Sequence, residues 1–120
     1  MSLILMVDDD TDMLRMAERW MKKAGYETAT AASGKEAVAF LAGTKPDLIV
    51  LDYLMPEMDG PATLAAIREV DGGDSIPVLF RTGKDDGVTD DVMQSGHVAG
   101  VVPKSEGKTA LLRVVGEVLG

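Results

Sequence analysis

Two apolar runs of this chain end in carboxylates. Residues 48–51 (LIVL) lead directly into Asp52, and residues 3–7 (LILMV) lead into three consecutive aspartates at positions 8–10. A carboxylate that follows buried apolar residues loses hydration, which is unfavourable unless a cation or hydrogen bonds compensate. Aspartate is also a nucleophile toward phosphoryl groups, with which it forms an aspartyl phosphate. Asp52 is therefore a candidate nucleophile, and the simpler alternative is a strand-end acid that caps the following loop.

The aspartates at positions 8 and 9 indicate a cation site if they lie beside Asp52. Carboxylates that share one crevice repel each other, and a hard cation removes that repulsion. Magnesium prefers a few carboxylate oxygens and bridges to phosphate oxygens. The alternative for Asp8 and Asp9 is an acidic helix N-terminus, where negative charge is favourable. We expect Asp10 and Asp12 to have that helix-capping role.

Two further apolar runs lead to residues that can bind a phosphoryl group. Residues 78–80 lead through Arg81 to Thr82, and residues 98–102 lead through Pro103 to Lys104. The hydroxyl of Thr82 can bond a phosphoryl oxygen. The ammonium of Lys104 can pair with Asp52 at rest and with the phosphoryl group afterwards.

Short apolar runs alternate with helical patterns along the chain, which is typical of an α/β fold. Predicted strands cover residues 3–7, 27–31, 48–51, 77–82 and 98–102. Predicted helices cover about residues 11–24, 33–43, 61–70, 88–95 and 108–119. This order predicts a doubly wound (βα)5 fold with one five-stranded parallel sheet and helices on both faces. The carboxyl ends of parallel strands converge on one crevice, which would gather the candidate residues.

Composition limits the classes of partner. The 120 residues suit one domain, residues 1–120, and the net charge of −8 argues against binding of duplex nucleic acid or an anionic membrane surface. The chain has no cysteine, so disulfides and cysteine-based zinc sites are excluded. No apolar run approaches the length of a membrane span, and the N-terminus lacks the basic segment of a signal peptide. We expect a cytoplasmic protein.

Four segments carry a resemblance to a known family. They are residues 4–10 (ILMVDDD), 51–60 (LDYLMPEMDG), 77–83 (PVLFRTG) and 100–104 (GVVPK). With these segments in order, the chain resembles the receiver domain of bacterial response regulators (two-component signalling) over its whole length. The second segment, from Asp52 through Met55-Pro56 to Met58-Asp59-Gly60, is the most specific. The family fold is a five-stranded parallel sheet in the flavodoxin-like strand order 2-1-3-4-5.

The resemblance also implies roles for residues of this sequence. It implies that Asp52 accepts a phosphoryl group from a phosphohistidine of a partner histidine kinase or phosphotransfer protein. It implies that Thr82 and Lys104 contact the phosphoryl oxygens. It implies a Mg²⁺ site made by Asp8, Asp9, Asp52 and the backbone carbonyl of Leu54. The family's usual output surface would be formed by residues 88–95, 98–102 and 108–119, which is also where we expect a homodimer contact.

The sequence departs from the family pattern at several positions. Val101 occupies the position of the usual switch aromatic, and a short, stiff valine cannot make the same movement. Ser105 follows Lys104, where the family often has a proline. Leu54 and Lys84 occupy two variable positions that influence phosphoryl lifetime in the family. The phosphorylation site is retained, whereas the usual signal route through the fifth strand lacks its aromatic residue.

Two other functions compete with the signalling receiver. A phosphatase with an aspartate nucleophile commonly needs an acid two residues later as the general acid, and Leu54 cannot serve. We therefore predict that the protein is not a turnover enzyme. The second competitor is a receiver that binds partners with output weakly coupled to phosphorylation, which the valine at position 101 favours. The output domain or effector protein cannot be identified from the sequence.

Overall fold

The computed structural model describes residues 2–83 and 98–120 of the chain. Its five strands are β1 (Leu3–Val7), β2 (Glu27–Ala31), β3 (Leu48–Asp52), β4 (Val78–Thr82) and β5 (Gly100–Pro103). They form one sheet in the order β2-β1-β3-β4-β5, and every neighbouring pair is parallel. The predicted fold class and the flavodoxin-like strand order are confirmed.

Helices connect the strands. The described helices are α1 (Thr11–Lys23), α2 (Gly34–Leu41), α3 (Gly60–Glu69) and α4 (Gly107–Leu119), with short 3₁₀ turns at Gly73–Ser75 and Lys104–Glu106. The helix predicted over residues 88–95 lies outside the described residues. Within residues 2–83 and 98–120, none of the helices has the length and apolar character that crossing a membrane requires.

Side-chain caps determine where three of the helices begin. Asp10 accepts hydrogen bonds from two backbone N–H groups in the first turn of α1, as the sequence predicts. Ser33 caps α2 and Asp59 caps α3 in the same way. Pro61 lies in the first turn of α3, where its missing N–H removes no helical hydrogen bond. These caps fix the chain direction between the sheet and each helix.

The sheet has an apolar cluster on each face. One cluster joins Leu5, Ile49 and Phe80 to α2 and α3. The other joins Met6, Val50, Leu79 and Val102 to α1 and α4, and half-buried Trp20 packs against it. Successive residues of each strand alternate between the two clusters, as strand geometry requires. Helices therefore cover both faces, and only the ends of the strands can hold a polar site.

Several element boundaries differ from the prediction. Strand β3 continues through Asp52, because Asp52 pairs in register with Arg81 of β4. Strand β5 begins at Gly100 rather than at residue 98, since its ladder with β4 starts at the pair Leu79 and Gly100. Helix α3 begins and ends one residue earlier than predicted, because its N-cap is Asp59. Asp52 is therefore the last residue of a buried strand, held by the ladder.

Candidate functional site

Three carboxylates meet at the carboxyl edge of the sheet. Asp8 directly follows β1, and Asp52 ends β3; the two residues are 5% and 4% exposed, respectively, whereas Asp9 is exposed. One carboxylate oxygen from each of these three residues lies within 4.8 Å of the others. The Asp10 backbone N–H donates a 3.0 Å hydrogen bond to Asp8 Oδ1, which orients that carboxylate. The acids predicted to form a cation site are therefore close together.

Lys104 contacts two of these acids. Its Nζ lies 3.2 Å from Asp8 Oδ2 and 3.1 Å from Asp52 Oδ1, and 28% of its side chain is exposed. Burial lowers the pKa of Lys104, but the charges of Asp8 and Asp52 raise it more, so its pKa lies above the ordinary value. The ammonium is thus charged at neutral pH and links the end of β5 to β1 and β3.

The environment of Asp52 disfavours its charge. Burial is the largest cause that raises the pKa of Asp52 to about 7, and the charge of Asp8 raises it further, while Lys104 opposes both. One lysine therefore does not compensate for burial beside another acid. An additional cation at this edge would favour the ionised carboxylate, which is the nucleophilic form.

Arg81, to which the sequence analysis assigned no role, lies at the same edge. It is 3% exposed, and it faces Asp52 across the β3–β4 ladder. Burial lowers the pKa of Arg81, whereas the charges of Asp8 and Asp52 raise it. The sequence feature that could have identified Arg81 is its charge next to a run of apolar residues, between Phe80 and Thr82.

Two other predicted residues lie at the same edge. Thr82 ends β4, is buried, and pairs in register with Pro103, the residue before Lys104. Leu54 lies in the loop after β3, and its side chain is 54% exposed. Neither belongs to the ion-paired group of Lys104 with Asp8 and Asp52.

The loop after β3 is held against the end of that strand by backbone contacts. The Gly60 N–H donates a 2.7 Å hydrogen bond to the Tyr53 carbonyl oxygen. A Cβ at Gly60 would lie 2.8 Å from Tyr53 Cα and 2.9 Å from the Asp52 carbonyl oxygen, so only glycine fits without a backbone shift. Glu57, at the exposed part of this loop, has a φ of 67°, a left-handed conformation that is uncommon for glutamate. The loop therefore passes close to Asp52 in one defined path.

The residues that distinguish this chain from the family pattern are partly described. Val101 is half-buried and packs against the cluster that contains Phe80. Lys84 lies outside the described residues.

The donor set fits a hard divalent cation. It consists of carboxylate oxygens, two of them from buried residues. The chain has no thiol, and within residues 2–83 and 98–120 no imidazole belongs to this acidic group. Oxygen-only donor sets are typical of Mg²⁺ and Ca²⁺ sites. Burial and the charge of Asp8 raise the pKa of Asp52 despite Lys104, and a bound cation would oppose that change. The residues present are thus suited to Mg²⁺.

Comparison with known proteins agrees with this arrangement. The family profile of the response regulator receiver domain matches residues 4–116. The transcriptional regulatory protein PrrA of Mycobacterium tuberculosis is 42% identical over 86 residues, which cover 71% of this chain and 37% of PrrA. Protein PilG of Pseudomonas aeruginosa is 37% identical over 82 residues, which cover 68% of this chain and 61% of PilG. The chain thus matches less than two thirds of the length of either relative.

Solved structures give the same result. Chemotaxis response regulator CheY4 of Vibrio cholerae superposes with a TM-score of 0.89 at 29% identity, over 98% of each chain. The signal receiver domain of a signal transduction histidine kinase from Syntrophus aciditrophicus superposes with a TM-score of 0.87 at 30% identity, over 99% of this chain and 90% of that chain. With the family profile matching nearly the whole sequence, the chain belongs to the response regulator receiver domain family.

Proposed function

We propose that this protein is a phosphoryl-accepting receiver of a two-component phosphorelay and that Asp52 is the acceptor. The observation that carries the proposal is the buried Asp52 carboxylate, whose Oδ1 lies 3.1 Å from Lys104 Nζ and beside two further acids. A solvated acid at a strand end would have neither the burial nor this set of neighbours. The partner is a sensor histidine kinase or a phosphotransfer protein that carries phosphohistidine.

In the proposed step, an Asp52 carboxylate oxygen forms a bond to phosphorus while the bond from phosphorus to the donor's imidazole nitrogen breaks. The electron pair of the broken bond stays with the imidazole, which is then protonated. Lys104 pairs with Asp52 before the step and with a phosphoryl oxygen after it. The hydroxyl of Thr82 donates to a second phosphoryl oxygen.

A divalent cation completes the proposed site. Asp8, Asp9, Asp52 and the backbone carbonyl of Leu54 would hold Mg²⁺, which supplies positive charge to the phosphoryl oxygens. The chain's own part is to keep two acids buried and oriented. The hydrogen bond from the Asp10 N–H to Asp8 contributes to that orientation.

Phosphorylation would act as a switch between two conformations. The phosphoryl group adds about −1.5 to −2 charges and three acceptor oxygens. Moving a 1:99 equilibrium to 99:1 takes about 5.5 kcal/mol. Hydrogen bonds to charged groups contribute about 1.5–3 kcal/mol each, so two or three at Thr82 and Lys104 would supply most of that difference. The protein transfers one phosphoryl group to itself and turns over no metabolite.

The alternative is a partner-binding receiver whose output is weakly coupled to phosphorylation. The observation that favours it is Val101, a half-buried aliphatic residue on β5 where the family has an aromatic. The output surface would include β5 and α4, together with residues 88–95, and would serve an effector or a second copy of the chain. The single domain over residues 1–120, the cytoplasmic location and the absence of direct nucleic-acid binding stay predictions.

The test is intact-mass analysis after incubation with acetyl phosphate, with and without Mg²⁺. We expect Mg²⁺-dependent addition of one phosphoryl group to the wild type and none to Asp52→Asn. The matched control is Asp71→Asn, which alters an exposed aspartate just after α3 and should be phosphorylated like the wild type. Equal phosphorylation of Asp52→Asn and the wild type would refute the assignment of the acceptor.

A second arm separates the two candidate functions. Beryllium fluoride with Mg²⁺ mimics the phosphoryl group, and amide NMR spectra report the response of the described helices and strands. Changes that extend from Asp52 to β5 and α4 would support the coupled switch. Changes confined to the strand ends would support the weakly coupled receiver.

A further inference from the structure

Arg81 is a charged residue in an apolar position of the sheet. It lies between Phe80 and Thr82 in β4, and only 3% of its surface is exposed. A guanidinium stays protonated in proteins, so Arg81 carries a full charge inside the fold. Burial of a charge is unfavourable unless opposite charges lie nearby.

The acids of the site supply those opposite charges. Arg81 is the register partner of Asp52 in β3 and of Val102 in β5. Register partners in a parallel sheet point to the same face, and Leu79, two residues earlier, packs in the same cluster as Val50. The side chain of Arg81 therefore lies on the face that also carries Asp52, and both Asp8 and Asp52 interact with its charge.

Arg81 does not pair with these acids in the way that Lys104 does. Lys104 makes the short contacts to Asp8 and Asp52, at 3.2 and 3.1 Å. Within residues 2–83 and 98–120, Arg81 Nε is a buried nitrogen that has no hydrogen-bond partner. Arg81 thus acts on the acids by its charge, without the paired hydrogen bonds that a guanidinium usually forms with a carboxylate.

We propose that Arg81 is a resident counter-charge of the acidic site, which keeps Asp8 and Asp52 together without metal and weakens the binding of Mg²⁺. The inference rests on the proposed function, since it concerns the same metal site. The acids then have two protein cations, Arg81 and Lys104, before any metal arrives. Mg²⁺ must bind against both charges, so half-occupancy of the site requires a higher concentration of free Mg²⁺ than it would with an apolar residue at position 81.

The experiment is calorimetric titration of Mg²⁺ into the full chain at low salt and at pH 8.5, above the pKa of about 7 of Asp52 in the wild type. Removal of one positive charge beside a divalent cation should increase its affinity, so Arg81→Met should bind Mg²⁺ about tenfold more tightly than the wild type. Arg81→Lys retains the charge and should stay within about twofold of the wild type. The matched control is Arg113→Met, which removes the same charge from a side chain that is 65% exposed on α4.

The outcomes distinguish this inference from the proposed function. Tighter binding by Arg81→Met, with Arg81→Lys and Arg113→Met near the wild type, supports the counter-charge. If the wild type and Arg81→Met bind Mg²⁺ with the same affinity, the inference is overturned and the metal site is retained. The same conclusion follows if Arg81→Lys gains as much Mg²⁺ affinity as Arg81→Met. No binding by any of the proteins overturns the metal site and the inference together. Circular dichroism verifies that each variant is folded, and Arg81→Gln is a second neutral variant if Arg81→Met does not fold.

Discussion

Replacement of Lys104 by methionine should raise the pKa of Asp52 in the metal-free protein. In the wild type, burial and the charge of Asp8 raise the pKa of Asp52 to about 7, and Lys104 is the neighbour that opposes them. Methionine keeps an unbranched side chain out to the ε position and removes the ammonium. The ionised carboxylate then loses its direct partner, whereas the protonated form loses much less.

The distance between the two groups gives the size of the effect. Lys104 Nζ and Asp52 Oδ1 are 3.1 Å apart. Two unit charges at that distance attract by about 1.3 kcal/mol in a water-like medium and by about 5 kcal/mol at an effective dielectric constant of about 20. A pKa change of one corresponds to about 1.36 kcal/mol. Loss of the attraction in the water-like medium alone therefore raises the pKa of Asp52 from about 7 to about 8. Burial of Asp52 favours a larger change.

The assay is NMR titration of protein labelled with ¹³C-aspartate, in the presence of a chelator, following the Asp52 carboxyl carbon between pH 5 and 10. Asp52→Asn assigns the signal. Lys108→Met is the matched control, because it removes the same charge from an exposed residue of α4. A midpoint for Lys104→Met at or below that of the wild type, or a wild-type midpoint near 4, would refute the reasoning about burial and pairing.

Three further predictions concern strand β3 and the loop that follows it. Asp52→Asn should stabilise the metal-free protein at pH 8, by up to about 4 kcal/mol, and by less at pH 5. The folded-state pKa of Asp52 is raised from 3.8 to about 7, so the contribution of this group to stability is full below pH 3.8 and is lost as pH rises through 7. Thermal unfolding of the wild type and Asp52→Asn at pH 5 and pH 8 checks this prediction. Equal stabilisation at the two pH values would contradict it. Gly60→Ala should lower the free energy of unfolding in urea by about 1–3 kcal/mol, because the new Cβ would overlap the backbone of Tyr53. The control is Gly43→Ala, which should change that free energy little because the space around Gly43 is open. Glu57→Asn should raise the free energy of unfolding by about 0.5–1 kcal/mol in the same assay, because asparagine tolerates the positive φ at this position. A lower free energy of unfolding would show instead that the glutamate side chain stabilises the loop.

The strands and helix starts were predictable because their causes are local. A strand buried on both faces needs an unbroken apolar run, and residues 48–51 provide one. The helix N-caps at Asp10 and Ser33 depend on residues within three positions of the helix start. The meeting of Asp8 with Asp52 followed from one general rule, that the carboxyl ends of parallel strands share an edge.

Other features of the site depend on contacts between distant segments. Arg81 follows an apolar run and would be solvated at a free strand end, but its pairing with β3 and β5 buries it. The contacts of Lys104 to both Asp8 and Asp52 require the ends of β1, β3 and β5 in one plane. The left-handed conformation of Glu57 is set by the path of its loop, and its residue type gives no sign of it. Carboxylates alone also suit other hard cations, and Mg²⁺ was favoured among them because it bridges to phosphate oxygens.

Lys104 has a second position in the fold besides its contacts with the acids. It is the first residue of the 3₁₀ turn Lys104–Glu106, and α4 begins directly after that turn, at Gly107. The backbone between Lys104, which contacts Asp52, and the start of α4 is therefore a single 3₁₀ turn. A change in charge at Asp52 acts on a residue that is covalently continuous with α4, so a mechanical connection between them exists even without an aromatic side chain at position 101.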